Sequence, residues 1–401
     1  MNTQNLIKKT FLDIATGLET GSFGSRPRIA VTGIGSELGE NEIYAGACIA
    51  AGRGVDVIYI GSELVGAGSA RPTKDTNSTN GRVNPAPTIV PATTEEECHA
   101  IMEKLLSSKE VDGAVTMHYP FPVGVSTVGR VVTPATGREM FIACTTGMAS
   151  TNRTECMVKN ALYGIIAAKA CGIANPTVGI LNVDGARAAE GLLKELAAGG
   201  YDITFASSGR SDGGCIMRGN DALTASCDVL VTDPLTGNIL MKMLTAFTTG
   251  GGYESSGFGY GPGVGADKLV NIISRASGAP VVAGAITYAA DLVRGDWQNV
   301  FAIETAAAKS AGLAKILEST VKSVGAGSTR PNDTPVAPPK EVVTKEIGGI
   351  EVTELDDAVA ALWAVGIYAE SGMGCTGPIV LVSEANLDKA RQVMVEGKWI
   401  S

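Results

Sequence analysis

The chain alternates strand-length apolar runs, ending in Gly, Ser or Asn, with Ala-rich stretches of helical length, and this alternation constrains its fold more than any other feature. Runs at 28–31, 55–60, 113–117, 177–182 and 229–231 read as strands. Helices are predicted at 40–51, 95–108, 154–171, 188–198 and 239–246. The strand runs are too apolar for a one-sided sheet, so both faces must be covered and the sheet must be mostly parallel. Helices on both faces of such a sheet give a doubly wound α/β architecture, whose ligands sit at the carboxyl ends of the strands.

Length and charge narrow the function. At 401 residues the chain has room for two or three compact units, at about 150 residues each. Lys plus Arg number 32 against 41 Asp plus Glu, a net charge of −9. No polycationic surface is available for nucleic acid or anionic lipid, so neither is an expected partner. Residues 1–19 read as an amphipathic helix carrying Leu6, Ile7, Phe11, Leu12, Ile14 and Leu18, not as an apolar signal core. The expected compartment is therefore reducing, the cytoplasm, and the eight cysteines are expected as free thiols. Their spacing removes CxxC redox and zinc-ribbon readings. With two histidines in all, a multi-histidine metal site is not expected.

A proline-rich break at 326–346 divides an α/β body, residues 1–325 with an N-terminal helix within 1–25, from a C-terminal unit at 347–401. The break reads as a semi-extended linker. The unit beyond it shows an extended piece at 350–352, a helix opened by Thr353, the segment GMGCTGP, a strand at 379–382 and a helix at 384–395. It is short for an independent core and is expected to dock on the body as a small α/β appendage.

Four segments could carry chemistry. The Gly-rich turn after the first strand holds Gly33, Gly35 and Ser36, whose amides could cradle an anion; a plain tight turn accounts for it equally well. It lacks the third glycine of a dinucleotide fingerprint. The run 233–242, DPLTGNILMK, offers Thr236, Gly237 and Asn238, with Lys242 expected one turn into the next helix. Two such turns in one sheet suggest a single phosphate-sized site, although alone the second reads as a capped helix with a solvated lysine. The Gly-rich run 250–265 reads as a mobile flap or a disordered loop. Arg210 and Arg218 could clamp a phosphate or belong to a surface loop.

Cys375 lies between glycines, and Thr376 and Gly377 could supply amides to an oxyanion beside a nucleophilic thiolate. A buried free cysteine is the plain alternative, and the other seven cysteines read as core. Cys98 follows three glutamates, which would raise its pKa and argue against reactivity. His118, directly after a strand, could act as acid or base or serve as a satisfied structural histidine.

The segments IAVTGIGSELGENEIYAGACIAA, VGILNV, GNDALTASCDVLVTDPLTGNILMK and SGAPVVAGA, spanning about residues 28–318 in order, resemble the acyl-acyl-carrier-protein:phosphate acyltransferase family. That resemblance implies a three-layer α/β/α fold of the isocitrate dehydrogenase type and conversion of an acyl thioester and inorganic phosphate into an acyl phosphate. Two departures are the MHYPFPVG segment after the third strand and the C-terminal addition. With them the whole chain resembles the smaller subunits of component C of glycine/sarcosine/betaine reductase, an anaerobic amino-acid fermentation system that releases acetyl phosphate. This implies that Cys375 carries acetyl. It also implies a larger component C subunit and the selenoprotein component A as partners, with a homodimer through the α/β body as a further expectation. No cofactor is expected, inorganic phosphate being a substrate. Other readings are a coenzyme A or acyl-carrier-protein dependent phosphate acyltransferase without an enzyme thiol, and a non-catalytic subunit of the complex. A nicotinamide dehydrogenase would need metal-binding acids, of which no convincing set is found.

Overall fold

The computed structural model describes residues 26–63, 65, 86–119, 121–209, 213–248, 268–324, 335–350, 354–374, 377–397 and 399–400, with 11, 14 and 15 near the N-terminus. The N-terminal helix as a whole, the 250–265 run, Arg210, most of the linker, Thr353, Cys375 and Thr376 lie outside the described residues.

The chain opens with β1 (Arg28–Thr32), α1 (Glu40–Gly52), β2 (Asp56–Gly61), β3 (Thr88–Pro91), α2 (Glu95–Ser107) and β4 (Gly113–Thr116). It continues through a short β5 (Phe121–Pro122), then β6 (Val128–Val132), β7 (Glu139–Ala143), α3 (Arg153–Ala170), β8 (Thr177–Leu181), α4 (Ala186–Ala198), β9 (Thr204–Phe205), β10 (Ile216–Met217) and α5 (Gly219–Thr224). Next come β11 (Val229–Val231), α6 (Pro234–Thr248), β12 (Val270–Ile272), α7 (Ala279–Arg294), α8 (Trp297–Ser310) and α9 (Leu313–Val324). The C-terminal part holds β13 (Lys345–Gly348), α10 (Leu355–Ala364), β14 (Ala369–Gly374), β15 (Gly377–Val382) and α11 (Leu387–Glu396).

The α/β class is as expected, but the strands form two sheets in the body where one was expected. The first has the order β12-β4-β1-β2-β3 and is parallel throughout. The second has the order β10-β8-β11-β7-β6, with β9 also on β8, and only β6 runs antiparallel. Residues 33–36 therefore follow a strand of the first sheet and 233–238 a strand of the second. Local apolar periodicity marks a strand but does not encode its partner, so the division was not legible.

Capping fixes where the helices start. Thr94 accepts the Glu97 amide at 3.2 Å while the Glu97 carboxylate takes the Thr93 amide at 2.8 Å, a reciprocal cap of α2. Asn152 caps α3 through the Glu155 amide at 3.0 Å. Helix α3 is buried on almost every side, with Tyr163, Ile165 and Ile166 in the main core beside Phe141, Val229 and Tyr288.

The third sheet, β13-β15-β14-β5, is antiparallel, and its last strand is lent by the body. Gly372 pairs with Pro122 and Met373 with Phe121. The MHYPFPVG segment, a departure from the acyltransferase pattern, is thus the strand on which the C-terminal unit docks. That unit has its own core of Ile347, Leu355, Leu362, Val380, Val382 and Met394, against which Val123 of the body also packs. Its first strand begins at Lys345, inside the stretch read as linker.

Candidate functional site

The segment 117–127 leaves the carboxyl end of β4 in the first sheet and enters β6, whose start lies beside the carboxyl end of β7 because that pair is antiparallel. It therefore runs between the ligand-binding edges of both sheets, and the C-terminal unit hangs from its middle.

At the first edge the Gly-rich turn is more closed than its sequence suggests. The Gly33 amide donates to Ile60 O at 2.8 Å and is not available to an anion. Gly35 sits at φ +103°, which a side chain would strain, and its carbonyl accepts from Arg275 Nη1 at 2.9 Å. The Arg275 guanidinium is in turn held by Glu95 at 2.5 Å, and Ser36 Oγ receives the Leu38 amide at 3.2 Å. Glu40 and Glu42 occupy the first turn of α1, so its N-terminus already faces carboxylates. Glu40 is bound by Tyr59 Oη at 2.9 Å, the Ser62 amide at 2.9 Å and Ser62 Oγ at 2.6 Å. Burial, reinforced by Glu40, raises the Tyr59 phenol and keeps it protonated.

The second edge is lined by small hydroxyl residues. Helix α6 starts at Pro234, so DPLTGN is its first turn, and its N-terminus is capped by its own Asp233. The Thr236 amide reaches Asp233 Oδ1 at 3.0 Å, the Thr236 hydroxyl reaches Oδ2 at 2.6 Å, and the Gly237 amide goes to Asp233 O at 2.9 Å. Asn238 is half-buried. Lys242 lies two turns into the helix, not one, and is exposed. Gly237 is required by close approach: a Cβ there would stand 1.8 Å from Cys144 O.

Sequence reasoning missed the neighbours of this helix start. Three successive amides, Thr145 at 2.9 Å, Thr146 at 2.6 Å and Gly147 at 2.8 Å, converge on the hydroxyl of Thr127. Converging amides of this kind form a concavity of positive potential. Buried Asn160 accepts from Ser126 Oγ at 2.8 Å and donates to Thr232 O at 3.3 Å. The Thr232 hydroxyl is fully buried and has no hydrogen-bond partner. The available signal was two pairs of small hydroxyl residues beside strand ends, Ser126–Thr127 just before β6 and Thr145–Thr146 just after β7.

His118 is taken up by the C-terminal unit: its Nε2 lies 3.2 Å from Glu346 Oε1 on β13. The contact ties the segment after β4 to the C-terminal unit. Arg218 caps α5 and contacts Asp221 through Nε at 3.4 Å, so it clamps its own helix.

The seven described cysteines are free. Burial pushes every one of their thiols upward, Cys144, Cys171 and Cys227 to about 12 and Cys215 to about 11, and Cys48, Cys98 and Cys156 in the same direction. At Cys98 the cause is burial first, with Glu40 the leading carboxylate, not the preceding glutamates as a group. Cys375 and Thr376 are not described, but the strands on either side close through the pair Gly374↔Gly377.

The profile of the fatty acid synthesis protein family matches residues 81–381. Over 395 residues the chain is 51% identical to the glycine/sarcosine/betaine reductase complex component C subunit alpha of Peptoclostridium acidaminophilum, covering 98% of this chain and 97% of that one. The chain belongs to the fatty acid synthesis protein family and groups with these component C alpha subunits. A phosphate acyltransferase of Thermus thermophilus is 28% identical over 235 residues, 54% of this chain and 70% of that one. Among solved structures, a branched-chain phosphotransacylase from Enterococcus faecalis V583 is similar at a TM-score of 0.42 and 16% identity, over 67% of this chain and 99% of that one. No helix among the described residues is long and apolar enough to cross a membrane.

Proposed function

We propose that this chain moves an acetyl group between the thioester of Cys375 and inorganic phosphate, yielding acetyl phosphate, as the alpha subunit of a component C acting with its other subunits and the reductase. The relatives named as component C alpha subunit and as phosphate acyltransferase support acyl transfer to phosphate. The observation that carries the reading is the pairing of Met373 with Phe121, which ties the hairpin flanking Cys375 to the segment joining both ligand-binding edges.

Phosphate would enter the hydroxyl-lined mouth of the second sheet. There Thr232 offers an unpartnered hydroxyl and Asn238 an amide side chain on the α6 flank, beside the Thr127 hydroxyl that the amides of Thr145, Thr146 and Gly147 hold in place. Thr236 and Gly237 shape the helix start. Lys242 contributes charge from two turns into the helix, and Ser36 and Gly35 close the opposite edge. A phosphate oxygen attacks the thioester carbonyl, amides including those of Thr376 and Gly377 hold the oxyanion, and the sulfur leaves. Removing one such donor typically costs about 2.7 to 4 kcal/mol in the transition state.

The test is mass spectrometry of the full chain incubated with acetyl phosphate. One acetyl mass, released by hydroxylamine and absent from Cys375→Ser, is expected. Cys98→Ser should keep it, because burial holds that thiol neutral. An acetyl mass retained by Cys375→Ser refutes the assignment.

A further inference from the structure

The seam between the C-terminal unit and the body holds a groove of about 510 Å³, a volume usual for a binding pocket. One wall is a face of α10, on which Asp356, Val359, Ala360 and Trp363 follow the i, i+3, i+4, i+7 spacing of a single helical stripe. A second wall is the start of β14, from Ala369 to Ser371, and the body adds Pro122 and Val123. Strand β5 pairs with Gly372 and Met373, and the Val123 amide reaches Ser371 O at 3.3 Å. The body therefore covers β14 from Ser371 onward, and Ala369 and Glu370 are left to the groove.

This groove joins apolar surface to negative charge. Val359 and Ala360 give it an aliphatic lining, and Trp363 adds a half-buried ring fixed by its Nε1 donating to Ala369 O at 2.9 Å. Glu370 accepts the Tyr368 hydroxyl at 2.6 Å and meets Lys340 Nζ at 3.3 Å, but that lysine side chain is 79% exposed and such a surface pair contributes little. Asp356 accepts from a neutral donor, the Thr151 hydroxyl at 3.2 Å, so among the described residues its charge is left uncompensated. An apolar stem ending in a planar cation matches both features. An arginine can lay its methylenes on the aliphatic lining, stack its guanidinium on the indole and present its charge to the carboxylates. With a net charge of −9, a second copy of this chain is a poor electrostatic complement, whereas a different subunit need not be acidic.

We propose that the groove is the docking site for an arginine-bearing segment of the other component C subunit, and that this segment clamps the C-terminal unit onto the body. The inference rests on the reading of the chain as a component C subunit and not on the acyl-transfer step. Pro122 and Val123 belong to the body, α10 and β14 to the unit, so an occupant touches both sides at once. It binds the docked arrangement and not the separated one, and so stabilises docking by mass action.

The test mixes the full chain with the purified other subunit of component C and follows association by titration calorimetry at low and high salt. The wild-type chain should bind, more weakly at high salt. Asp356→Lys, which reverses a charge in the groove, and Ala360→Trp, which fills it without altering charge, should each weaken binding on the order of 30-fold or more. Asp357→Lys makes the same charge change at the neighbouring exposed acid of α10, outside the groove, and should bind within a few-fold of wild type. Amide hydrogen exchange at residues 369–373 should slow in the wild-type complex. Unchanged affinity in either groove variant, with its circular dichroism intact, overturns the docking site. An equal loss in Asp357→Lys reduces the effect to general charge attraction and overturns it as well, and exchange that does not slow overturns the clamp. A wild-type chain that does not associate with that subunit overturns the proposal and leaves the acyl-transfer reading standing, since that reading fails by a different result, the absence of acetyl on Cys375.

Discussion

Replacing Gly237 by alanine tests whether the start of α6 is pressed against the end of β7 as the site requires. The new Cβ would lie 1.8 Å from Cys144 O, 2.9 Å from Cys144 C and 3.0 Å from Thr232 Cγ2, so the contact has to open by about an ångström or more. Neither side gives easily. Cys144 is held by its Sγ on Gly147 O at 2.7 Å, and Gly237 by its amide on Asp233 O at 2.9 Å. Overpacking of this kind costs about 1–3 kcal/mol, and backbone on both sides puts this case at the upper end. Alanine's better helix propensity returns only about 1 kcal/mol. The expected outcome is a lower urea midpoint by circular dichroism and weaker use of phosphate in acetyl phosphate exchange. Gly191→Ala is the control: it sits exposed inside α4 with open space around its Cβ position, and should gain about 0.5–1 kcal/mol. A Gly237→Ala chain with the wild-type midpoint and the wild-type phosphate dependence would refute the reasoning.

Two further outcomes are expected. Thr232→Val removes a buried hydroxyl that has no partner while keeping the shape, so the urea midpoint should hold or rise by about 1 kcal/mol. Phosphate exchange should fall; a destabilised valine variant or unchanged exchange would show that the hydroxyl does not await an anion. Asp221 is buried, which disfavours its charge, yet amides of Arg218 and Gly209 and the hydroxyls of Ser208 and Ser226 together hold its carboxyl well below the usual range. Its folded pKa is depressed, so its stabilisation is present above the unfolded value of about 3.9 and is lost as pH falls below it. Asp221→Asn should lower the urea midpoint at pH 7 by about 1.5–3 kcal/mol and flatten its acid dependence; parallel profiles of variant and wild type would count against this account.

The legible parts of the fold are those with strong local periodicity. β1, β2, β4, β8 and β11 and the helices α1 to α4 fall within a residue or two of their expected bounds, because doubly covered strands and Ala-rich helices announce themselves. The antiparallel pair β6–β7 was missed. Arg130, in the middle of β6, is buried only because Asp291 of α7 pairs with it at 3.0 Å and Tyr288 lies under its guanidinium at 4.8 Å, partners some 160 residues away in the chain. β5 is two residues long and acquires its meaning from Gly372 and Met373 alone. At the site, Gly33 was read as an amide donor and Thr236 as a side-chain partner for an anion, but Ile60 O takes the Gly33 amide and Asp233 takes both the amide and the hydroxyl of Thr236. Sequence shows which donors exist, not which are spent.

The seam between the C-terminal unit and the body follows from how it is built. Among the described residues its polar ties include two strand pairs with β5, the Val123 amide on Ser371 O at 3.3 Å, the His118–Glu346 contact at 3.2 Å and the Thr151 hydroxyl on Asp356 at 3.2 Å. Each is a polar contact of the kind worth about 0.5–1.5 kcal/mol net. A cavity of about 510 Å³, lined by Pro122, Val123, Asp356, Trp363 and Glu370 among others, runs along the same seam. The unit's own core closes around Leu355, Leu362 and Met394, with Val123 of the body packed against it. Main-chain pairing through two residues also fixes direction: it holds β14 against β5 in one register, because a slip by one residue would turn Phe121 to the opposite face.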